Sequence, residues 1–257
     1  MRAFFTWLMC LIVAAIALQL FFVARIALMA VIDPQSTAFE RSEAWQIATH
    51  GRSNGDASGG RAGDRAWQQR WVPYAQISDT LKRAVIASED GEFIYHQGVE
   101  WEAIERARQR NAKAEEIAAR RAAAAIARGK SPQTAKLRGG STITQQLAKN
   151  LFLSGERTLL RKGQELMLAT VLETLLSKQR ILELYLNSVE WGEGVFGAEA
   201  ASQRYFSKSA SRLSANEAAR LAVMLPSPKF FERRPGSAYI SGRAATIVAR
   251  MPSADVP

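Results

Sequence analysis

The sequence predicts an all-α domain behind one membrane-spanning helix, and three observations carry that prediction. Residues 3–24, from Ala3-Phe4-Phe5 to Phe22-Val23-Ala24, form an uncharged apolar run. As a helix, that run is long enough to cross a ~30 Å hydrocarbon core. From Ser78 onward, apolar residues recur at helical spacing, with Ser or Thr ahead of several runs and Gly or Pro behind them. No alternating run of any length argues for a sheet, and no internal repeat is present.

Composition sets the outer bounds. The chain has 257 residues, 47% hydrophobic and 23% charged, which is ordinary for a globular protein. About 220 residues remain beyond the apolar run, enough for one domain with a real core or two small lobes. The only cysteine, Cys10, lies inside the apolar run. An intramolecular disulfide is therefore impossible, and the position does not suit a lipidated cysteine. The net charge of +10 and pI of about 10.1 admit nucleic acid, an anionic membrane surface or a phosphate-bearing substrate as partner. His50 and His96 are the only histidines, and no metal-ligand spacing appears.

The elements follow in order. Residues 1–32 read as a transmembrane anchor, with Arg25 near its end placed to snorkel. A buried core helix and a cleaved signal peptide are the alternatives, although the apolar stretch is longer than a signal peptide usually needs. Charge at Arg2 favours a cytoplasmic N-terminus. Residues 33–66 read as a flexible linker, because 51–66 are rich in Gly, Ser and Asp. Order resumes at Trp67. Ser78 has the character of an N-cap, with Leu81, Ala84, Val85 and Ser88 at helical spacing behind it, which puts Glu89 near a helix C-terminus. Residues 106–138 hold ten Lys/Arg and two Glu, a net +8 in an Ala-rich stretch. That is either a solvated helical face or mobile insertion, or a contact for anionic headgroups or substrate phosphate. Further helices are expected from Ser141/Thr142, over 157–176, from Ser177 to Asn187, and over 198–206 and 214–225, with Pro226 and Pro228 stopping the last. Gly192, Gly194 and Gly197 mark a turn region, and the tail after Arg250 carries no readable signal.

Two acidic residues and a group of cations carry the chemistry. Arg157, Arg161 and Glu165 are spaced i, i+4, i+8, one face of a helix, with Lys162 beside them. A plain salt-bridge ladder is the ordinary reading of such a stripe. Against it, residues 166–176 are mostly apolar, which sets this end between core and cleft. Lys149, Arg157, Arg161 and Lys162, next to the Ser141 and Thr142 hydroxyls and the backbone N–H groups of a helix start, suit a pyrophosphate. No nucleotide-binding glycine motif is present. Glu89 and Glu165, on separate helices, could face one cleft, as paired carboxylates do in chemistry at a sugar anomeric carbon.

Four motifs then stand in order. They are Ala87-Ser-Glu-Asp-Gly-Glu-Phe-Ile-Tyr-His-Gln-Gly98, Gly139-Gly-Ser-Thr-Ile-Thr-Gln-Gln-Leu-Ala-Lys-Asn150, Arg161-Lys-Gly-Gln-Glu165, and Lys178-Gln-Arg-Ile-Leu-Glu-Leu-Tyr-Leu-Asn187 with Gly192 after it. Over residues 67–235 the chain resembles glycosyltransferase family 51, the peptidoglycan glycosyltransferases. The monofunctional biosynthetic type fits best, since no penicillin-binding domain follows. The resemblance implies a lysozyme-like domain over 67–250 with a smaller membrane-proximal lobe and the insertion 106–138. It implies polymerisation of lipid II, in which the acceptor GlcNAc 4-hydroxyl attacks C1 of the donor MurNAc and undecaprenyl pyrophosphate leaves with inversion. By motif, Glu89 would be the general base and Glu165 would act on the donor side. Ser141, Lys149, Arg157 and Arg161 would hold donor phosphates, with Thr142, Gln145, Gln146, Asn150 and Lys162 also lining the substrate site. A divalent cation, Mg or Mn, at the pyrophosphate stays open, and no metal is assigned to protein ligands. The implied partners are lipid II, the nascent glycan strand, the membrane, and cell-division or elongation proteins, with no nucleic acid. The implied setting is the bacterial inner membrane with the catalytic domain outside.

The residue-level alternatives remain beside that reading. Glu165 could be a structural partner of Arg161 or Lys162. Gln145 and Gln146 could touch substrate or scaffold the cleft. His96 suits loop support better than proton transfer. Phe93 suits the core, Glu183 and Asn187 suit structural roles, and Trp191 could line the cleft or pack. The basic insertion is longer than the family pattern leads one to expect. Two other functions compete: a lytic glycan-cleaving enzyme, which needs no pyrophosphate site, and a membrane-anchored polyanion-binding protein, which needs no ordered motifs.

Overall fold

The computed structural model describes residues 1–50, 67–126, 128–129, 131, 139–156 and 158–257. The helices are α1 (Arg2–Leu28), α2 (Ala38–His50), α3 (Asp79–Glu89), α4 (Trp101–Ile126), α5 (Ile143–Phe152), α6 (Leu159–Leu175), α7 (Lys178–Ser188), α8 (Ala198–Phe206), α9 (Ala215–Met224), α10 (Pro228–Glu232) and α11 (Ala238–Arg250). Three very short strands, β1 (Gln68–Gln69), β2 (Glu190–Gly192) and β3 (Val195–Phe196), form a small sheet in the order β1-β3-β2. The all-α expectation therefore stands, with the sheet closing the Gly192–Gly197 turn region.

Side-chain caps start the helices where hydroxyl residues precede apolar periodicity. Ser78 accepts from the Leu81 N–H, Thr142 from Gln145, Thr158 from Arg161, Ser177 from Arg180 and Ser214 from Glu217. Each supplies an acceptor to one of the otherwise unpaired first-turn donors. The apolar faces then meet in one core. Leu81 and Val85 of α3, Leu147 of α5, Leu168 and Leu172 of α6, Leu182 and Leu186 of α7 and Leu221 of α9 are all buried. Within it α3 packs on α9, α9 on α11, and α5 on both α6 and α7. Phe93 and Trp191 belong to this core, and the Trp191 indole donates to the Leu221 carbonyl at 3.0 Å. Trp191 is thus packed and does not line a cleft.

α1 is uncharged from Ala3 to Ala24, long and apolar enough to cross a membrane, and its most apolar stretch is unburied by the rest of the chain. The buried-core-helix alternative is thereby removed. Only its last turns meet the domain. Ile26 is buried, Phe22 packs edge-on against Phe152 of α5 at 5.3 Å, and the Arg25 guanidinium lies 5.7 Å from the same ring. Arg180 of α7 donates to the Met29 carbonyl and pairs with Asp33, both at 2.7 Å. The expected anchor is therefore bolted to α5 and α7, the helices that carry the site.

The linker expectation over 33–66 needs correction for its first part. Residues 38–50 are α2, started by a reciprocal cap. The Thr37 N–H donates to Glu40 at 2.7 Å, and the Glu40 N–H donates to the Thr37 hydroxyl at 3.0 Å. Gln69 then donates to Glu40, Phe39 packs against Phe196, and Lys229 pairs with Glu43. Those contacts come from distant segments, so composition did not reveal them. The Gly-rich part, 51–66, lies outside the described residues. The tail corrects in the same direction. Arg83 donates to the Ala254 carbonyl, Tyr95 to Asp255 and Tyr74 to the Pro257 carbonyl, which ties 254–257 to α3 and its flanking turns. Most of the basic stretch is α4, in which Ala107 alone is buried. Residues 106–126 are thus an exposed helical face standing off the core, where the smaller lobe is expected.

Asn187 and Glu183 have the structural roles their motif suggests. Asn187 brackets Val72, accepting from its N–H at 2.9 Å and donating to its carbonyl at 3.0 Å, while Glu183 accepts from the Tyr74 N–H. Gly197 closes the same junction with φ of +81°, and a Cβ there would stand 2.7 Å from the Asn187 carbonyl oxygen. Left-handed backbone and a backbone clash coincide at that position. Gly197→Ala is therefore expected to cost roughly 2–4 kcal/mol, read as a fall in melting temperature of about 5–15 °C.

Candidate active site

The site is assembled around the start of α5. Glu89 is the last residue of α3, and Asp90 caps it with extended backbone (φ −160°, ψ 75°). This turns the chain sharply and sends the two acidic side chains to different partners. Asp90 is buried. Its Oδ2 accepts from the Ile143 N–H of α5 at 2.9 Å, and its Oδ1 lies 2.9 Å from His96 Nε2. The Gly98 N–H donates to His96 Nδ1 at 3.1 Å, so Nδ1 is the bare nitrogen and Nε2–H donates to Asp90. His96 supports its loop, as expected from sequence. Thr142 completes the joint, donating to the Gly98 carbonyl at 2.6 Å while accepting from the Gln145 N–H at 3.2 Å.

These bonds correct part of the anion-site expectation. The Ile143 and Gln145 N–H groups at the α5 start are taken by Asp90 and Thr142, and the Thr142 hydroxyl is fully used. Thr142 and Gln145 form a capping box, and Gln145 is buried with its Nε2 unpartnered. Both brace the start of α5, where two of the first-turn N–H groups are already taken. Asn150 is likewise buried, and Lys149 is half-buried in the last turn of α5.

Glu89 sits in neutral company. Gln146 Nε2 donates to its Oε2 at 3.0 Å, and the Ser88 hydroxyl lies 3.3 Å from its Oε1. Burial among protein atoms pushes its carboxyl above the ordinary value near 4.5. The Gln146 and Ser88 hydrogen bonds and the Arg243 charge pull the other way, and Asp90 adds to the rise. Behind Gln146, the buried Tyr185 hydroxyl donates to its Oε1 at 2.9 Å.

Glu165 is in the opposite situation. It is buried on α6, Arg161 Nη1 donates to its Oε2 at 2.7 Å, and Lys162 pairs with its Oε1. Lys162 also donates to Ser141 at 3.1 Å. The structural-partner reading of Glu165 is therefore realised in the free protein. α6 begins at Leu159 behind the Thr158 cap, so the helical stripe holds for Arg161 and Glu165. Arg157 lies outside the described residues. The cluster Arg161, Lys162 and Glu165 carries two positive charges against one negative. The chain segment 141–146 thus touches both carboxylate centres, through Ser141 to Lys162 and Glu165 and through Gln146 to Glu89.

Further residues complete the frame without a sequence signal. Glu173 of α6 accepts from the Thr144 hydroxyl at 2.6 Å and pairs with Lys178, whose ammonium also donates to the His96 carbonyl at 2.6 Å. Lys178 and Tyr185 lie in the fourth motif but carry no individual signal there, and Glu173 lies outside the motifs, because each acts through a partner on another element.

A family model described as Transglycosylase matches residues 58–252, more than half of the chain. The chain belongs to the transglycosylase family. Among curated relatives, a biosynthetic peptidoglycan transglycosylase of Paraburkholderia xenovorans is 48% identical over 245 residues, covering 95% of this chain and 90% of that one. The proteins of that name from Burkholderia thailandensis (50% identical, 95% of this chain and 84% of that one) and Bordetella pertussis (46%, 97% and 93%) agree. With that family shown, a non-enzymatic polyanion binder no longer competes.

The environment of Glu89 makes a thermodynamic prediction. A carboxyl whose folded pKa is raised loses stability as pH climbs through its unfolded pKa, and the loss is complete above the folded pKa. Glu89→Gln is therefore expected to melt above the parent protein near pH 8, with the gain vanishing below about pH 4.5, where the parent carboxyl is protonated in both states. Thermal melts across that range check the sign.

Proposed function

We propose that this transglycosylase polymerises lipid II into β-1,4-linked glycan, with Glu89 as the general base. One observation carries the assignment of roles: the half-buried Glu89 carboxylate and the buried Glu165 carboxylate receive opposite treatment. Glu89 meets neutral donors in a site that opposes its charge, whereas Glu165 is held between two cations. A base gains from a higher proton affinity, and desolvation shifts the Glu89 carboxyl in that direction. A donor-side group needs positive charge around the leaving pyrophosphate, and Arg161 and Lys162 supply that. The names of the curated relatives support the substrate class.

Glu89 takes the proton from the acceptor 4-hydroxyl as that oxygen bonds to the donor C1. The bond from C1 to the pyrophosphate oxygen breaks on the opposite face, so configuration inverts. The electron pair leaves with undecaprenyl pyrophosphate, whose charge is met by Arg161, Lys162, Lys149 and Arg157. Ser141 holds Lys162 in place before the donor arrives. A good leaving group needs charge stabilisation more than protonation, which suits a cation cluster better than a second acid. The residues offer a divalent cation little. Both Glu165 oxygens are engaged, and no group of three His, Cys, Asp or Glu among the described residues is placed to hold a metal. No step is therefore routed through one.

We also assign α1 as a single-pass anchor in the bacterial inner membrane, N-terminus cytoplasmic, with the catalytic domain on the periplasmic side. Anchor and lipid-linked substrate then share two dimensions, which raises encounter frequency. Nucleic acid has no part in this reading, and cell-division or elongation proteins are natural partners for a polymerase at that surface.

Two measurements test the roles. With purified protein and lipid II, Glu89→Gln is expected to bind substrate yet lose polymer formation by at least about 100-fold. Near-parental polymerisation would remove Glu89 as base, and muropeptide release instead of polymer would favour a lytic enzyme. Arg161→Ala is expected to weaken donor binding by about 10-fold or more. Unchanged donor affinity would leave Arg161 as a purely structural partner of Glu165.

A further inference from the structure

We infer that Tyr185 is a positioning residue for Glu89, acting by fixing which end of the Gln146 amide faces the carboxylate. The inference rests on Glu89 being the base. Tyr185 projects from α7 and is fully buried. Among the described residues its hydroxyl has one hydrogen-bond partner, Gln146 Oε1, at 2.9 Å. A phenol facing an amide oxygen must donate. That leaves Gln146 Nε2 pointing the other way, 3.0 Å from Glu89 Oε2.

The amide is a rigid dipole, so its two ends cannot be chosen separately. Were it reversed, Nε2 would donate to the phenol oxygen, the buried phenol proton would lose its one acceptor among the described residues, and Oε1 would face Glu89. Two acceptors would then meet, unless Glu89 carried a proton. The Tyr185 proton thus selects the orientation that favours ionised Glu89, at a position where burial favours the neutral acid. The other groups facing Glu89 do not duplicate this. Ser88 is its chain neighbour and a rotatable hydroxyl, Arg243 acts through charge from α11, and Asp90 works in the opposite direction. The chain from Tyr185 through Gln146 to Glu89 therefore tunes the base from α7, a helix that contributes no side chain of its own to Glu89. Tyr185 belongs to the fourth motif and Gln146 to the second, so the contact gives the fourth motif a part in the chemistry besides its anchoring of Val72.

The test uses the full chain with lipid II over a range of pH. Tyr185→Phe removes only the hydroxyl. It is expected to lower kcat about fivefold or more, leave KM for lipid II unchanged, and move the acid limb of the rate profile to higher pH. Gln146→Leu is expected to move the limb in the same direction, and it carries the test alone should Tyr185→Phe fail to fold. The double variant is expected to be no slower than Gln146→Leu, because the two act in series. An acid limb unmoved in Tyr185→Phe, or in Gln146→Leu when that variant stands alone, overturns the inference. So does a further additive loss in the double variant. Glu89→Gln run in parallel separates the two claims: if it polymerises, the base assignment fails, whereas an inactive Glu89→Gln beside an unmoved limb in Tyr185→Phe removes only the role of Tyr185.

Discussion

The Asp90 carboxylate is the joint on which the site depends. One oxygen holds the α5 backbone at Ile143 and the other holds His96, so the end of α3, the 91–98 turn and the start of α5 are pinned to a single buried group. A buried carboxylate is tolerable only when its lone pairs are met, and here a backbone N–H and an imidazole N–H meet them. Thr142 adds the second fastening, from α5 back to Gly98.

From that joint the two remaining acids diverge. Glu165 lies within a turn of Arg161 and Lys162 on its own helix, so its compensation is local and built into α6. Glu89 has no cation within hydrogen-bonding reach among the described residues, and its support arrives from α5 and α7. The membrane end of the molecule serves the same arrangement. Arg180 and Phe152 fasten the end of α1 to α7 and α5, so the helices behind Glu89 are the ones held against the anchor.

Much of this was legible in the residues. The caps at Ser78, Thr142, Ser177 and Ser214 and the Arg161–Glu165 pair depend on neighbours within four positions, and short-range rules find them. The apolar anchor needs only composition and length. What escaped was non-local. α2 was hidden because Glu40, Phe39 and Glu43 gain their value from Gln69, Phe196 and Lys229 far along the chain. The tail looked empty because its bonds use backbone carbonyls, which every sequence carries. The expected phosphate donors at the α5 start were reassigned because Asp90, fifty-three positions away, already occupies one of them.

The sequence by itself determined the helical class, the anchor, the order of the motifs and the residue types that glycosyl transfer requires. These follow from periodicity, capping and composition, which act over a few residues. Only the tertiary structure decided which carboxylate is left without a cation, which amide faces it, and which hydroxyls and N–H groups are already used. Those are properties of hydrogen-bond satisfaction inside a closed core, where each donor can serve only one arrangement and the partner comes from a remote part of the chain.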